Sequence, residues 1–319
     1  MKAIITDLDG VLWKGILSED RGRLNLHYGS LLMDLMDRGI LVAVASKNNI
    51  RDVEAELREA TRIFPIEANW GPKSESVKRI LQVWNILPED VLVVDDNPLE
   101  IREILNVFPT IKYHIFDSNY EEFETGKIRD MFPEKETIPE DKLRLESIKS
   151  NVLFNRELKQ MDTEEFYKTL DAKITVRGGF TPRAFELIGK TNQFNINGRK
   201  DSEHLRKYYL SQEGISCFTF EYSDRFGDLG IVGVVVVDYC EESSEPAVPH
   251  LTIHEFCLSC RAVGRRIEFS MVKYLDHKFP VTHEWEYVPT EKNGMAQKFM
   301  KEISETHPYI NTYHEVIEA

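Results

Sequence analysis

The strongest constraint on this chain is that polar residues follow directly after short apolar runs. Ala3–Thr6, Ile40–Ala45 and Val91–Val94 are three such runs in the first half of the sequence, and Ile111–Phe116, which holds Lys112 and His114, reads as a further strand. Each has the length of a strand, and apolar character without alternation marks a strand covered on both faces. Helix-like segments separate them. Leu31, Leu32, Leu35 and Met36 have helical spacing, with Gly39 as a C-terminal stop. Arg51–Glu59 reads as a polar helix, and Val77, Ile80, Leu81 and Trp84 fall at i, i+3, i+4, i+7. Strands alternating with helices at this interval predict a doubly wound parallel α/β sheet.

Ligands of such sheets bind beyond the carboxyl ends of the strands. Asp7 and Asp9 end the first strand, Ser46 the second, and Asp95 and Asp96 the third. Residues i and i+2 of an extended chain face one side, so the Asp7 and Asp9 carboxylates converge on one substrate. Lys73, in Gly71-Pro72-Lys73-Ser74, precedes a helix start and reaches the same rim. These residue types suit phosphoryl transfer. One carboxylate attacks phosphorus to give an aspartyl-phosphate. A second protonates the leaving oxygen and then deprotonates water. A phosphate beside several carboxylates requires cations: a hard oxygen site such as Asp7 plus Asp96 suits Mg²⁺, and Lys73 adds a point charge. Ser46 offers a hydroxyl to a phosphoryl oxygen.

Composition narrows the class of partner. The chain has 319 residues, with 54 acidic against 40 basic side chains and a net charge of −14. That field argues against nucleic acid or an anionic membrane as the main partner. The longest strongly apolar run, about Gly230–Val237, is far below the ~18 residues of a membrane span. The first residues meet Asp7 before a signal-peptide core forms, and four cysteines make no disulfide scaffold. A cytoplasmic location is the expectation.

The charged, proline-bounded stretch Pro133–Asp141 marks a domain junction. The expected organisation is a phosphoryl-transfer domain over 1–135, a helical connector over 136–170 and a second α/β domain over 171–319. In that second domain Phe218–Tyr222 and Gly230–Asp238 read as strands of a meander, Leu251–Cys260 as a further strand, and Gly264–His277 as a helix.

The words Asp7-Leu8-Asp9-Gly10-Val11-Leu12, Ser46, Lys73 and Val93-Val94-Asp95-Asp96-Asn97 resemble the haloacid dehalogenase (HAD) superfamily. The resemblance implies Asp7 as nucleophile, Asp9 as acid/base, and Ser46 and Lys73 as phosphate-binding. It also implies Mg²⁺ on the Asp7 carboxylate, the Asp9 main-chain carbonyl and Asp96. Glu100 stands where many members carry a further acid. No long cap fits between Asp9 and Ser46 or between Ser46 and Lys73, so the HAD-like core is expected to be cap-free.

A narrower resemblance, to the FkbH-like family, rests on Asp7–Gly15, Ser46-Lys47-Asn48-Asn49, Trp70-Gly71-Pro72-Lys73-Ser74 and Asp95–Glu100. It continues in Lys190–Asn195, Asp224–Asp228 and Ser259–Arg265, and so spans nearly the whole chain. It implies a GNAT-like acyltransferase second domain, with glyceryl transfer from 1,3-bisphosphoglycerate to an acyl carrier protein in polyketide-type biosynthesis. Asn48, Arg261 and Gly264 then join Ser46 and Lys73 as substrate-binding residues. Gly10-Val11 departs from the Asn-Thr usual in that family, and Ala45 stands where a cysteine is common. Arg261-x-x-Gly264-x-Arg266 is similar to the GNAT phosphate-binding turn except for its last residue. Such a turn offers N–H groups at a helix start to the phosphate of a carrier's phosphopantetheine.

Cys257 and Cys260, with His250 and His254 upstream, invite a zinc reading. On an extended strand His254 and Cys260 lie about 20 Å apart, and Cys257 faces away from Cys260, which disfavours zinc and a disulfide alike. Cys260, at a strand end beside a helix start and Arg261, is the expected thioester-forming residue. Cys217 and Cys240 read as small buried groups. His254 is either half-buried structure or a base, and Arg261, Arg265 and Arg266 either a patch for an acidic carrier or a solvated helix start. The alternatives to acyl transfer are a plain small-molecule phosphatase and a non-enzymatic carrier-binding module.

Overall fold

The computed structural model describes residues 1–16, 23–134, 139–240, 249–306 and 312–319. The chain divides into two units, Met1–Lys149 and Ser150–Ala319. The first contains β1 (Ala3–Thr6), β2 (Trp13–Lys14), β3 (Arg23–Leu24), α1 (Leu26–Asp37), β4 (Leu41–Ser46), α2 (Ile50–Glu56) and β5 (Ile63–Ala68). It continues through α3 (Lys73–Trp84), β6 (Val91–Asp95), α4 (Pro98–Val107), β7 (Lys112–Ile115) and α5 (Glu121–Asp130). The division between units falls inside α6 (Pro139–Leu158), within the segment expected to be a connector.

The five long strands form a parallel sheet in the order β5-β4-β1-β6-β7. Alternate residues serve opposite faces. Ile4, Val42, Val44, Leu92 and Val94 pack with Tyr28, Leu31, Leu35 and Ile128 on one side. Ala3, Ile5, Leu41, Ala43, Val91 and Val93 pack with Val77, Ile80, Trp84 and Ile104 on the other. This two-sided burial is the cause of the unalternating apolar runs. Because β1 is central, with Ile5 opposite Ala43 and Val93, the chain after it emerges between the ends of β4 and β6. Strand β5 has no counterpart in the sequence reading, because Pro65 interrupts it; as an edge strand it tolerates the missing N–H. Between β1 and β4 the described residues hold only β2, β3 and α1.

The second unit comprises α7 (Thr163–Lys168), β8 (Lys173–Gly178), α8 (Pro182–Lys190), α9 (Ser202–Ser211), β9 (Ile215–Asp224) and β10 (Gly227–Cys240). Then come β11 (His250–Leu258), α10 (Ile267–Lys278), β12 (Thr282–Trp285), α11 (Gly294–Thr306) and β13 (Glu315–Glu318). The sheet order is β12-β11-β10-β9-β8-β13. Strands β8 to β11 form an antiparallel meander, while β12 runs parallel to β11 and β13 parallel to β8.

One local expectation changes here. The strand expected to reach Cys260 ends at Leu258, because Ser259 accepts a hydrogen bond from the Arg261 N–H and starts a 3-10 turn over Cys260–Ala262. The register also breaks near His254: Glu255 pairs with Val236 and Ile253 with Val237. Ile253, rather than His254, therefore shares the core with Phe256 and Leu258. Cys257 does point the other way, onto Cys217, Val234 and Val236. No helix among the described residues is long and apolar enough to cross a membrane.

Candidate active site

Asp7 is fixed by the backbone around it. Its N–H donates to Val94 O at 2.9 Å, tying the end of β1 to β6, and its Oδ1 accepts from the Leu8 N–H at 2.8 Å. The chain then turns tightly, with Val11 and Trp13 N–H both donating to Leu8 O. Gly10 sits in this turn at φ +72°, and a Cβ there would lie 2.2 Å from Asp96 Oδ2. The Asp96 carboxylate occupies the place a side chain at position 10 would take.

Lys73 opens α3, and its ammonium is buried at 3% exposure. Its Nζ lies 2.9 Å from Asp7 Oδ2, 2.5 Å from Asp95 Oδ2 and 2.5 Å from Glu100 Oε2. Glu103 fixes the helix start by accepting from the Lys73 N–H at 2.9 Å. Lys47 reaches Glu100 from outside at 2.9 Å. Burial pulls the Lys73 ammonium down, but the Asp7 and Asp95 carboxylates outweigh it and hold the group above the ordinary lysine value.

The acids show the opposite strain. Burial raises Asp7, against the pull of the Lys73 charge and hydrogen bonds from Lys73, Leu8 and Ser46. Burial pushes Asp95 up to about 7 although Lys73 opposes it. Asp96 is raised by burial and then by the charge of Asp7. Glu100 alone is lowered: burial acts upward, but Lys73 and Lys47 prevail. One buried ammonium thus faces more negative charge than it balances.

Among the described residues, Asp7, Asp95 and Glu100 place carboxylate oxygens within 4.8 Å of one another. The Lys73 ammonium already bridges these three acids; the hard oxygen donors of Asp7 and of the neighbouring Asp96 suit Mg²⁺ rather than a soft metal. The residues named from sequence are distributed as follows. Ser46 is buried at 4% exposure at the end of β4. Asp9 accepts hydrogen bonds from the Trp13 indole and the Asn48 amide. Asn48, expected to bind substrate, spends its amide on Asp9 and Ser46. Asp96 lies against Gly10, outside the close trio. The sequence reading missed Asp95 as the partner of Lys73. Its signal is the doubled acid at the end of β6, where the first residue still belongs to the buried strand.

The second-unit residues do not assemble as expected. Cys260 is exposed, in the 3-10 turn, and α10 begins only at Ile267, so Cys260 is not in the first turn of that helix. Gly264 is exposed at φ +85°, and its carbonyl accepts from Tyr167 OH at 2.5 Å. Arg265 cannot serve a surface patch: it is 1% exposed and bound to Asp224 at 2.9 Å and to Ser150 at 3.1 Å, with Asn151 as a further partner. Arg266 lies over the Phe269 ring at 4.4 Å and 3.7 Å from Glu302. His254 Nδ1 is 2.8 Å from Glu286.

No protein-family model matches this chain, and no curated protein matches it. Part of it is similar to solved structures. One is the N-terminal part of a Bacteroides fragilis protein, a phosphatase domain complexed with Mg, at 23% identity and TM-score 0.36. The likeness covers 41% of this chain and 39% of that one, so the chain spans well under half of that structure. The cobalt-bound deoxy-D-mannose-octulosonate 8-phosphate phosphatase of Haemophilus influenzae is 18% identical over 41% of this chain and 85% of its own, at TM-score 0.32. The 3-deoxy-D-manno-octulosonate 8-phosphate phosphatase of Moraxella catarrhalis, solved with magnesium, phosphate and KDO, is 18% identical over 35% and 64%, at TM-score 0.28. At these scores the reading of the site rests on its own geometry.

Proposed function

We propose that the first unit is a Mg²⁺-dependent phosphohydrolase of HAD type. The observation that carries this is Lys73 buried among Asp7, Asp95 and Glu100 at the carboxyl rim of a parallel sheet. Asp7 attacks phosphorus, forming an aspartyl-phosphate as the bond to the leaving oxygen breaks. Asp9 gives that oxygen its proton, then takes one from the water that opens the intermediate. Ser46 and Lys73 bind the phosphoryl oxygens. Asp7, the Asp9 carbonyl and Asp96 would hold Mg²⁺, which would supply positive charge against the phosphoryl oxygens.

The finer reading adds acyl transfer. The Cys260 thiolate of a GNAT-like second unit would attack the acyl carbon of 1,3-bisphosphoglycerate and expel that phosphate; the first unit would hydrolyse the remaining phosphate through Asp7, and the glyceryl thioester would pass to the phosphopantetheine thiol of an acyl carrier protein, freeing Cys260. Its supports are the FkbH-like words in both units and the parallel β11–α10–β12 passage with the Arg261–Gly264 turn between. Mass spectrometry after incubation with Mg²⁺ and 1,3-bisphosphoglycerate tests it. A mass gain on Cys260, lost in Cys260→Ala and kept in Cys257→Ala, is the expected result. Phosphate release with no acylation leaves a small-molecule phosphatase; neither event leaves a carrier-binding module.

A further inference from the structure

Asp9 is held at both ends of its carboxylate. The Trp13 indole Nε1–H donates to Oδ1 at 2.7 Å, and the Asn48 Nδ2 amide donates to Oδ2 at 2.9 Å. Both donors are immobile. Trp13 is 4% exposed and packed with Leu8, Val11, Leu12 and Tyr28. Asn48 is also 4% exposed, and its amide reaches Ser46 Oγ at 3.1 Å as well. An indole N–H only donates, so Asp9 Oδ1 is the acceptor in that bond. Two donors on two oxygens also stop the carboxylate rotating about its last torsion, which is otherwise a broad, soft rotor.

We propose that Trp13 and Asn48 are positioning residues that clamp the Asp9 carboxyl for proton transfer to the leaving oxygen. The inference rests on Asp9 being the acid/base. In the first step the Asp9 proton moves to the leaving oxygen as that oxygen parts from phosphorus and Asp7 bonds to it. In the second, Asp9 takes a proton from water as the water oxygen bonds to phosphorus and the Asp7 oxygen–phosphorus bond breaks, releasing phosphate. A misaimed carboxyl slows the first step most where the leaving group needs the proton, as an alkoxide does and 4-nitrophenolate does not.

The test is single-turnover release of glycerol from glycerol 3-phosphate and of nitrophenol from 4-nitrophenyl phosphate, in Mg²⁺. Trp13→Phe keeps an aromatic ring and removes the donor. Its expected loss is about 30-fold with glycerol 3-phosphate and about threefold with the nitrophenyl ester, a part of the roughly 10²–10⁴-fold that a positioned general acid supplies. In an Asp9→Asn background the same change should cost less than about twofold, because the clamp then holds nothing useful. Asn48→Ala is read in the same way should Trp13→Phe fail to fold. Equal losses on the two esters, or an undiminished loss in the Asp9→Asn background, overturn the clamp. Equal rates for wild type and Asp9→Asn on glycerol 3-phosphate remove Asp9 itself from the chemistry, and the clamp with it.

Discussion

Two buried cations, one in each unit, differ in how they are matched. Arg265 faces one carboxylate, Asp224, and otherwise neutral acceptors: Asn151 Oδ1, Ser150 Oγ and the Arg261 carbonyl. Four of the five N–H donors of its planar fork are bonded, and its charge is answered once. Lys73 faces three carboxylates with three N–H bonds, and even with Lys47 on Glu100 two cations answer three acids. Burying charge without balance costs several kcal/mol per ion, so a fold keeps such an arrangement only for a use. A balanced buried pair serves architecture: Arg265 joins the C-terminal half of α6 to the turn at Asp224 and to the loop before α10. An unbalanced cluster awaits a ligand of the missing sign.

The largest effect that breaks or sharpens this contrast is chemical. Asp7→Asn should lower phosphate release by about a thousandfold or more, since a carboxamide is a poor nucleophile. The variant should still fold, because burial already disfavours charge on Asp7. Unchanged release would remove Asp7 from the chemistry. Next comes the direct comparison. Lys73→Met and Arg265→Met should each cost about 3–5 kcal/mol in urea unfolding, as for other buried pairs that lose one partner. Mg²⁺ should restore part of the Lys73→Met loss, because a divalent ion answers the same acids, and none of the Arg265→Met loss. Equal response to Mg²⁺ would erase the distinction drawn here.

Gly10→Ala should destabilise by about 1–3 kcal/mol, through the left-handed backbone and the contact with Asp96. It should also weaken Mg²⁺ binding measured by calorimetry, since Asp96 must yield. The smallest effect is on pH. Asp95 is pushed up to about 7, whereas an unfolded aspartate titrates near 3.8. The folded protein therefore binds more protons than the unfolded chain between those values. The associated stability is present below pH 4 and is lost as pH rises through 7. Melting temperatures of the metal-free protein should fall across that window, less steeply with Mg²⁺. Asp224→Asn, in the balanced pair, should leave this slope unchanged.

The parallel sheet and its rim were legible because two-sided burial writes itself into sequence as unbroken apolar runs, and the acids follow those runs directly. What escaped depends on partners far along the chain. Pro65 hides β5 until its place at the sheet edge is known. The break near His254 reverses the alternation of β11 through pairing with β10, a strand read separately. Arg265 looks like a surface charge beside Arg261 and Arg266 until Asp224, 41 positions earlier, is seen to hold it. The Trp13–Asp9 bond spans only four residues, yet it depends on the tight turn that Gly10 permits.

The proline in β5 also bears on how molecules of this protein meet one another. An open sheet ends in a row of unspent donors and acceptors, and a matching strand from another copy can extend it. At the β5 edge, Ile63, Phe64 and Ile66 would make an adhesive segment. Pro65 interrupts its row of donors and so lowers its value as a template. Replacing Pro65 with valine would leave the acids around Lys73 untouched and would change the colloid: a protein still able to do its chemistry, with a more adhesive edge.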